Sequence, residues 1–272
     1  MEAKYPEFFL QRARALLHPI QTEECDIVCV QEYWFESSYQ NLFKQTLGKS
    51  YHIHTLQRPG SKEDGLAIFT KKHLQIESIT DLSFDMAGER VAILMHLLID
   101  QVPFILVNSH LTFPHSDFNR LVRLQQIQTT LDAISTKRIE DCPVLMCGDF
   151  NDQRDPVHHC ILDHGYASAF CTVHGRDAHV THCNHNHGEV GVDFIFMHNA
   201  PNAKVRFQPT SCELVPKRLS DRTLLERPKF GHEWTDLDQD YSALVEDDDL
   251  VQYWSLLSDH RPLVAKFDVV HG

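Results

Sequence analysis

Apolar positions along the chain follow two different periods. Phe8, Phe9, Ala13, Leu16, Leu17 and Ile20 recur near helical spacing with Arg12 and Arg14 between them, which predicts an amphipathic helix over residues 7–20. A second helix is predicted over residues 117–134. Leu121, Leu124, Ile127, Leu131 and Ile134 share one face of it, leaving Arg120, Arg123 and Gln126 on the more exposed side. Other apolar runs are short, rich in β-branched residues and almost uninterrupted, as in strands buried on both faces. They cover residues 26–32, 65–70, 92–99, 104–108, 144–147, 192–197 and 263–269. Many strands and few helices, with polar residues at strand ends, predict an α/β fold of two sheets packed face to face with helices outside. From about residue 201 to 254 the pattern weakens into Pro, Arg and acidic residues. That stretch is expected to be an irregular insertion in a single domain spanning residues 1–272.

Composition narrows the function. No run approaches the roughly 18 to 20 apolar residues needed to cross a bilayer, and the start lacks a secretory apolar segment. A cytoplasmic or nuclear protein is expected. The eight cysteines include no CxxC pair, and five of them sit in or beside apolar runs, which fits reduced core thiols. A formal net charge of −13 argues against a broad electrostatic footprint on nucleic acid. It leaves room for a phosphate-bearing substrate held through metal ions.

Candidate chemistry sits in five short words. Gly148-Asp149-Phe150-Asn151-Asp152 directly follows the apolar run PVLMC, so an acid and an amide two residues apart can face one cleft. The carboxylate suits Mg²⁺ ligation or water activation, and the amide suits donation to phosphoryl oxygens. Ser258-Asp259-His260-Arg261-Pro262 offers a carboxylate beside an imidazole. Gln31-Glu32 ends a strand so apolar that its carboxylate must reach solvent or meet a cation. Val107-Asn108-Ser109-His110-Leu111 ends in polar side chains in the same way, with Asn108 a candidate substrate contact. In Gly191-Val192-Asp193-Phe194-Ile195 the aspartate stands in an apolar strand, where a histidine partner is the natural expectation. Each word alone reads more readily as a turn, a capped strand end or a solvated or hydrogen-bonded side chain. Their repetition at the ends of five strands favours a metal and phosphate site.

The ordered words QE, NSHL, GDFN, VDFIF and SDH resemble the endonuclease/exonuclease/phosphatase superfamily. DGLAIFTK at residues 64–71, the Asp193 segment and the long helix after His110 look most like its nocturnin and carbon-catabolite-repressor deadenylase branch. The resemblance implies a four-layered α/β sandwich of two packed mixed sheets flanked by helices, binding Mg²⁺ or Mn²⁺. It implies that Glu32 is the principal metal ligand, that Asp149 activates water or helps to hold metal, and that Asp259 is a second metal-site carboxylate. It further implies that Asn151 donates to phosphoryl oxygens, that His260 is the catalytic histidine oriented by Asp193, and that His110 lines the opposite side of the scissile phosphate. The family's opening strand, which carries an asparagine into the site, has no counterpart before residue 7. An unpaired sheet edge is expected there.

Other readings are weaker. The run His179-Val-Thr-His182-Cys183-Asn-His185-Asn-His187 could bind zinc, but it lacks two separated ligand pairs. Its His185 is instead a candidate substrate contact, as are Arg120 and Arg123. Residues 236–247 imitate half an EF-hand, with Tyr241 where glycine is required and Asp247 in place of the bidentate glutamate. The expected activity is hydrolysis of a phosphodiester by metal-activated water, with single-stranded RNA 3′ ends or a nucleotide as substrate. Alternatives are a phosphatase of a small phosphorylated metabolite or lipid headgroup, and a catalytically silent binding module of the same fold.

Overall fold

The computed structural model describes residues 6–84, 88–137, 141–152, 156–183, 188–201, 203–219 and 257–271. The first half of the chain forms α1 (Pro6–Thr22), β1 (Ile27–Trp34), α2 (Ser37–Leu47), β2 (Tyr51–Gln57), β3 (Asp64–Lys71), β4 (Gln75–Ser83), β5 (Val91–Ile99) and β6 (Val102–His110). There follow α3 (Asp117–Lys137), β7 (Val144–Asp149), α4 (Pro156–Asp163), β8 (Ala167–Ser168), α5 (Ala169–His174), β9 (His182–Cys183), β10 (Glu189–Val190), β11 (Asp193–His198), β12 (Val205–Leu214) and β13 (Leu263–His271).

One sheet is six-stranded in the order β4-β5-β6-β7-β11-β8, with β6 and β7 parallel and the other pairs antiparallel. Over it lie the antiparallel sheet β1-β3-β2 and the ribbon β12-β13. Strand alternation sorts the core. Ala92, Leu94, Ile105, Val107, Val144, Met146, Phe194 and Phe196 face α3 and α4, meeting Ile127, Leu131, Val157 and Ile161. Intervening residues Ile93, Met95, Phe104, Leu106 and Leu145 face Leu66 and Ile68 of β3 and Phe207 of β12. The other face of β3, with Ala67 and Phe69, meets α1 and α2 through Phe9, Leu17, Tyr39 and Phe43. Burial on both faces is why these strands read as continuous apolar runs, and the outcome is the four-layered α/β/β/α sandwich.

The predicted face of α3 is rotated. Leu121 is 62% exposed, whereas Val122, Arg123, Gln126 and Ile127 are buried. Backbone accounting explains the rotation. The loop after β6 needs partners, and Gln126 Oε1 accepts the Thr112 N–H at 3.1 Å while its Nε2 donates to Thr112 Oγ1 at 2.9 Å. Arg123 Nη1 donates to the Thr112 carbonyl at 3.2 Å.

A second difference concerns the stretch expected to be irregular from residue 201. Its first part is β12, paired along its length with β13 and shifted in register beside Pro209, where a strand tolerates proline. Residues 220–256, including the EF-hand-like run, lie outside the described residues. Among the described residues β1 pairs only with β3 and β13 only with β12, leaving one edge of each unpaired.

Candidate active site

Three adjacent strands set three polar residues in one row. In the parallel pair β6–β7, His110 lies opposite Asp149; in the antiparallel pair β7–β11, Asp149 lies opposite Asp193. All three have the parity that faces the second layer, each lying four residues from inward Leu106, Leu145 and Met197 respectively. The row therefore opens between the sheets at their polar end.

From the opposite layer, β1 delivers Glu32. A register shift between Gln31 and Tyr33 makes Glu32 the extra residue of a β-bulge, with φ 55°. The bulge reverses the parity beyond it, so Tyr33 turns outward into the cluster with Tyr39, Phe43 and Phe69. Glu32 is left exposed at the strand end. Its charge reaches the row, because it favours protonation of both Asp149 and Arg90.

His260 completes the site from the turn before β13. Asp193 Oδ2 accepts the Thr181 hydroxyl at 2.6 Å and His260 Nδ1 at 2.9 Å. Thr181 Oγ1 in turn accepts the backbone N–H groups of Val192 and Asp193 at 3.0 and 3.1 Å, so the carboxylate is held at the start of β11 by its own strand. On the far side of the row, Arg90 Nη1 lies 3.1 Å from His110 Nδ1 and Asp149 Oδ2 lies 3.3 Å from His110 Nε2. Arginine only donates, so His110 Nδ1 is the acceptor and its proton sits on Nε2, facing Asp149.

The charges follow from this packing. Burial, then the neighbouring Arg90, holds the His110 imidazole well below its ordinary pKa, so it is neutral. Burial also pushes the Asp149 carboxyl up to about 7, reinforced by Asp193 and Glu32 and opposed by His260 and the Asn151 N–H. Burial works against the His260 imidazolium, but the Asp193 carboxylate, followed by Asp149 and Asp259, carries its pKa up to about 10. The site thus combines a neutral imidazole, a carboxylate that titrates near neutrality and a persistent imidazolium.

The sequence matches the Endonuclease/Exonuclease/phosphatase family over residues 7–260. The chain belongs to that family. A protein of Arabidopsis thaliana described as an uncharacterized calcium-binding protein is 29% identical over 239 residues, 79% of this chain and 49% of that protein. The chain thus spans about half the length of that curated relative, and less than a third of the Danio rerio protein angel homolog 2 that it also matches. Among solved structures, an endonuclease/exonuclease/phosphatase from Bacteroides vulgatus superposes with TM-score 0.67 at 19% identity, over 96% of this chain and 92% of that one. ANGEL2, described as a 2′,3′-cyclic phosphatase, gives 0.66 at 18% identity over 93% and 84%. The human nocturnin catalytic domain gives 0.59 at 17% identity over 72% and 77%. At these identities the likeness is one of fold, the DNase I-like sandwich of the endonuclease/exonuclease/phosphatase family.

Not every residue expected in the site of this family member faces the cleft. Asn108 is fully buried. It donates to the Val30 and Ala67 carbonyls at 3.1 and 3.0 Å and accepts from Gln31 Nε2 at 2.7 Å, so it ties β6 to β1 and β3 instead of touching a substrate. Arg123 is also buried, beneath the loop after His110, with Nε 3.9 Å from Asp152 Oδ2, and it supports that loop from behind. Arg120 stays exposed on α3, and His185 lies outside the described residues. Asp259 Oδ2 lies 3.8 Å from His182 Nε2, and its charge adds to those that raise the His260 pKa. Asn151, at φ 50°, gives its backbone N–H to Asp149 Oδ1 at 2.8 Å and its amide to the Leu111 carbonyl and Asp149 Oδ2 at 3.0 and 3.3 Å. In this arrangement Asn151 fixes Asp149.

Three contributors escaped the sequence reading. Arg90 carried only the weak signal of a charge just before an apolar strand. Thr181 and His182 lay inside a run read for its histidines as a group.

The donor chemistry fits a divalent cation. Asp149, Asp193 and His260 offer donor atoms within 4.8 Å of one another. His260, charged and bonded to Asp193, is a poor ligand, so the carboxylate oxygens of the cluster are the donors suited to an ion. Hard oxygen donors suit Mg²⁺ or Mn²⁺. Protons and cation then compete for Asp149. Its raised pKa means the ligating form is lost as pH falls through about 7, so Mn²⁺ affinity measured by calorimetry is expected to fall about tenfold per pH unit below that point. An affinity that stays flat from pH 7.5 to 5.5 excludes Asp149 as a ligand.

Proposed function

We propose that the chain is a divalent-cation-dependent hydrolase of phosphate esters whose substrate is an RNA 3′ end or a nucleotide. The observation that carries this reading is the row His110–Asp149–Asp193 across three strands, with His260 bonded to Asp193 and the Glu32 charge acting on Asp149 from the other sheet. Mg²⁺ or Mn²⁺ held by Glu32 and Asp149 would neutralise charge on the phosphoryl oxygens. Asp149 orients the attacking water and takes its proton. The His260 imidazolium stabilises the negative charge that builds on the phosphoryl group, and Asp193 keeps it charged and oriented. His110 and Asn151 hold the Asp149 carboxylate from two sides. Likeness to ANGEL2, described as a 2′,3′-cyclic phosphatase, supports a nucleotide or RNA-end substrate. Exposed Arg120 is our candidate for a phosphate contact beyond the scissile one. Eight cysteines, none of them in a disulfide, support placement in the cytoplasm or nucleus. No helix among the described residues is long and apolar enough to cross a membrane.

The purified chain with Mg²⁺ or Mn²⁺, against an EDTA control, tests this reading on bis(p-nitrophenyl) phosphate, a 2′,3′-cyclic nucleotide, oligo(A), single-stranded DNA and a phosphoinositide. Cation-dependent turnover of the cyclic nucleotide or oligo(A) is expected. Turnover restricted to the phosphoinositide overturns the substrate class. No cation-dependent turnover of any probe leaves a silent binding module as the better description.

A further inference from the structure

His182 has no place in the chemistry described so far, yet its ring lies flat against His260. The centroids are 3.9 Å apart, the planes differ by 13°, and His182 is only 5% exposed. The stack follows from backbone register. The Cys183 N–H donates to the Asp259 carbonyl and the Arg261 N–H to the Thr181 carbonyl, at 2.9 and 2.8 Å, on either side of the bridge between His182 and His260. In an antiparallel bridge the pair enclosed by two such bonds is the non-hydrogen-bonded one. Its side chains leave on the same face from Cα atoms only about 4.5 Å apart. Two flat rings planted there must lie on one another.

The stack removes a freedom that the Asp193 contact leaves. A hydrogen bond at Nδ1 fixes one edge of the His260 ring, but coupled changes of its two side-chain torsions still allow some rotation of the ring with that bond kept. A plate against one face stops that rotation. An aromatic face is also a favourable neighbour for a cation. We propose that His182 is a positioning residue: by stacking, it holds the His260 ring in its reactive orientation, so the position requires an aromatic face and not an imidazole nitrogen. The role in catalysis rests on the proposed hydrolysis; the orientation itself does not.

Two measurements on the full chain test it, with His182→Ala and His182→Phe. In ¹H–¹³C spectra of histidine rings, with His260 assigned by its absence in His260→Gln, the facing ring shifts the His260 ring protons upfield. His182→Ala should move them downfield and His182→Phe should restore them. In Mn²⁺-dependent hydrolysis of bis(p-nitrophenyl) phosphate, His182→Ala should lower kcat about 10- to 100-fold, the cost of small misplacements. KM should change less than about twofold, and His182→Phe should recover kcat to within about threefold. A His182→Phe protein as impaired as His182→Ala overturns the proposal, because the nitrogen is then what counts. So does a His182→Ala protein with unchanged kcat. If His182→Ala fails to fold, His182→Phe decides alone by the same two readouts. If the wild-type chain hydrolyses nothing, the proposed function fails, and the ring resonances still decide whether His182 orients His260.

Discussion

Replacing His260 with alanine is expected to lower kcat/KM for cation-dependent phosphate-ester hydrolysis by about 10³-fold, or about 4 kcal/mol of transition-state stabilisation. The size follows from what the side chain does. With its pKa carried up to about 10 by the Asp193 carboxylate, it is charged throughout the neutral range and sits at the end of the row that holds Asp149. A preorganised charge aimed at developing phosphoryl charge is among the largest single contributions a side chain makes. Folding should be little affected, because the His260 side chain is 29% exposed and Asp193 keeps its bond from Thr181. Mn²⁺ binding should also persist, since the proposed ligands Glu32 and Asp149 remain. Asp193→Asn then separates charge from presence. Without the carboxylate that raises it, His260 deprotonates at lower pH, so activity in this variant should fall away on the alkaline side well before it does in the wild type. Rates measured from pH 6 to 10 check both points. A His260→Ala protein within tenfold of wild type would remove His260 from the mechanism.

The parts legible in the sequence were those fixed by local period. β3, β5, β6 and β7 show as unbroken apolar runs because alternate residues fill the middle and the outer cores. The row of the site was legible for the same reason: polar residues that end inward-facing strands at one edge have nowhere to go but the cleft. Long-range backbone needs were invisible. Asn108 is as polar and as close to a strand end as His110, yet two carbonyls of the facing sheet claim its amide. Arg123 and Gln126 look like the outer face of a helix until the Thr112 backbone asks for partners. The Glu32 bulge has no local signature either. Only pairing with β3 shows that one residue too many lies between Gln31 and Tyr33. His182 was hidden by company, since nothing in a run of histidines says which one the register will set against His260.

Gly148→Ala should be the most damaging alanine substitution among the described glycines, lowering stability by about 2 to 6 kcal/mol and abolishing activity. Gly148 has φ +148°, and a Cβ there would stand 1.9 Å from the Ser109 carbonyl oxygen and 2.9 Å from its carbon. That neighbour cannot step aside, because it is backbone and the register partner of Gly148 in the one parallel pair among the described strands. Relief requires β6 and β7 to separate directly beside His110 and Asp149, whose 3.3 Å contact depends on their spacing. Folded stabilities of about 5 to 15 kcal/mol leave the variant close to unfolding, and any folded fraction carries a displaced Asp149. Gly175→Ala supplies the control. That glycine also has positive φ, +74° at the end of α5, but nothing lies within 4 Å of its would-be Cβ, so strain of about 1 kcal/mol is the whole expected cost. Urea midpoints and kcat/KM for the two variants should diverge sharply. If both lose stability equally and both keep activity, contact with Ser109 is not what demands glycine at position 148.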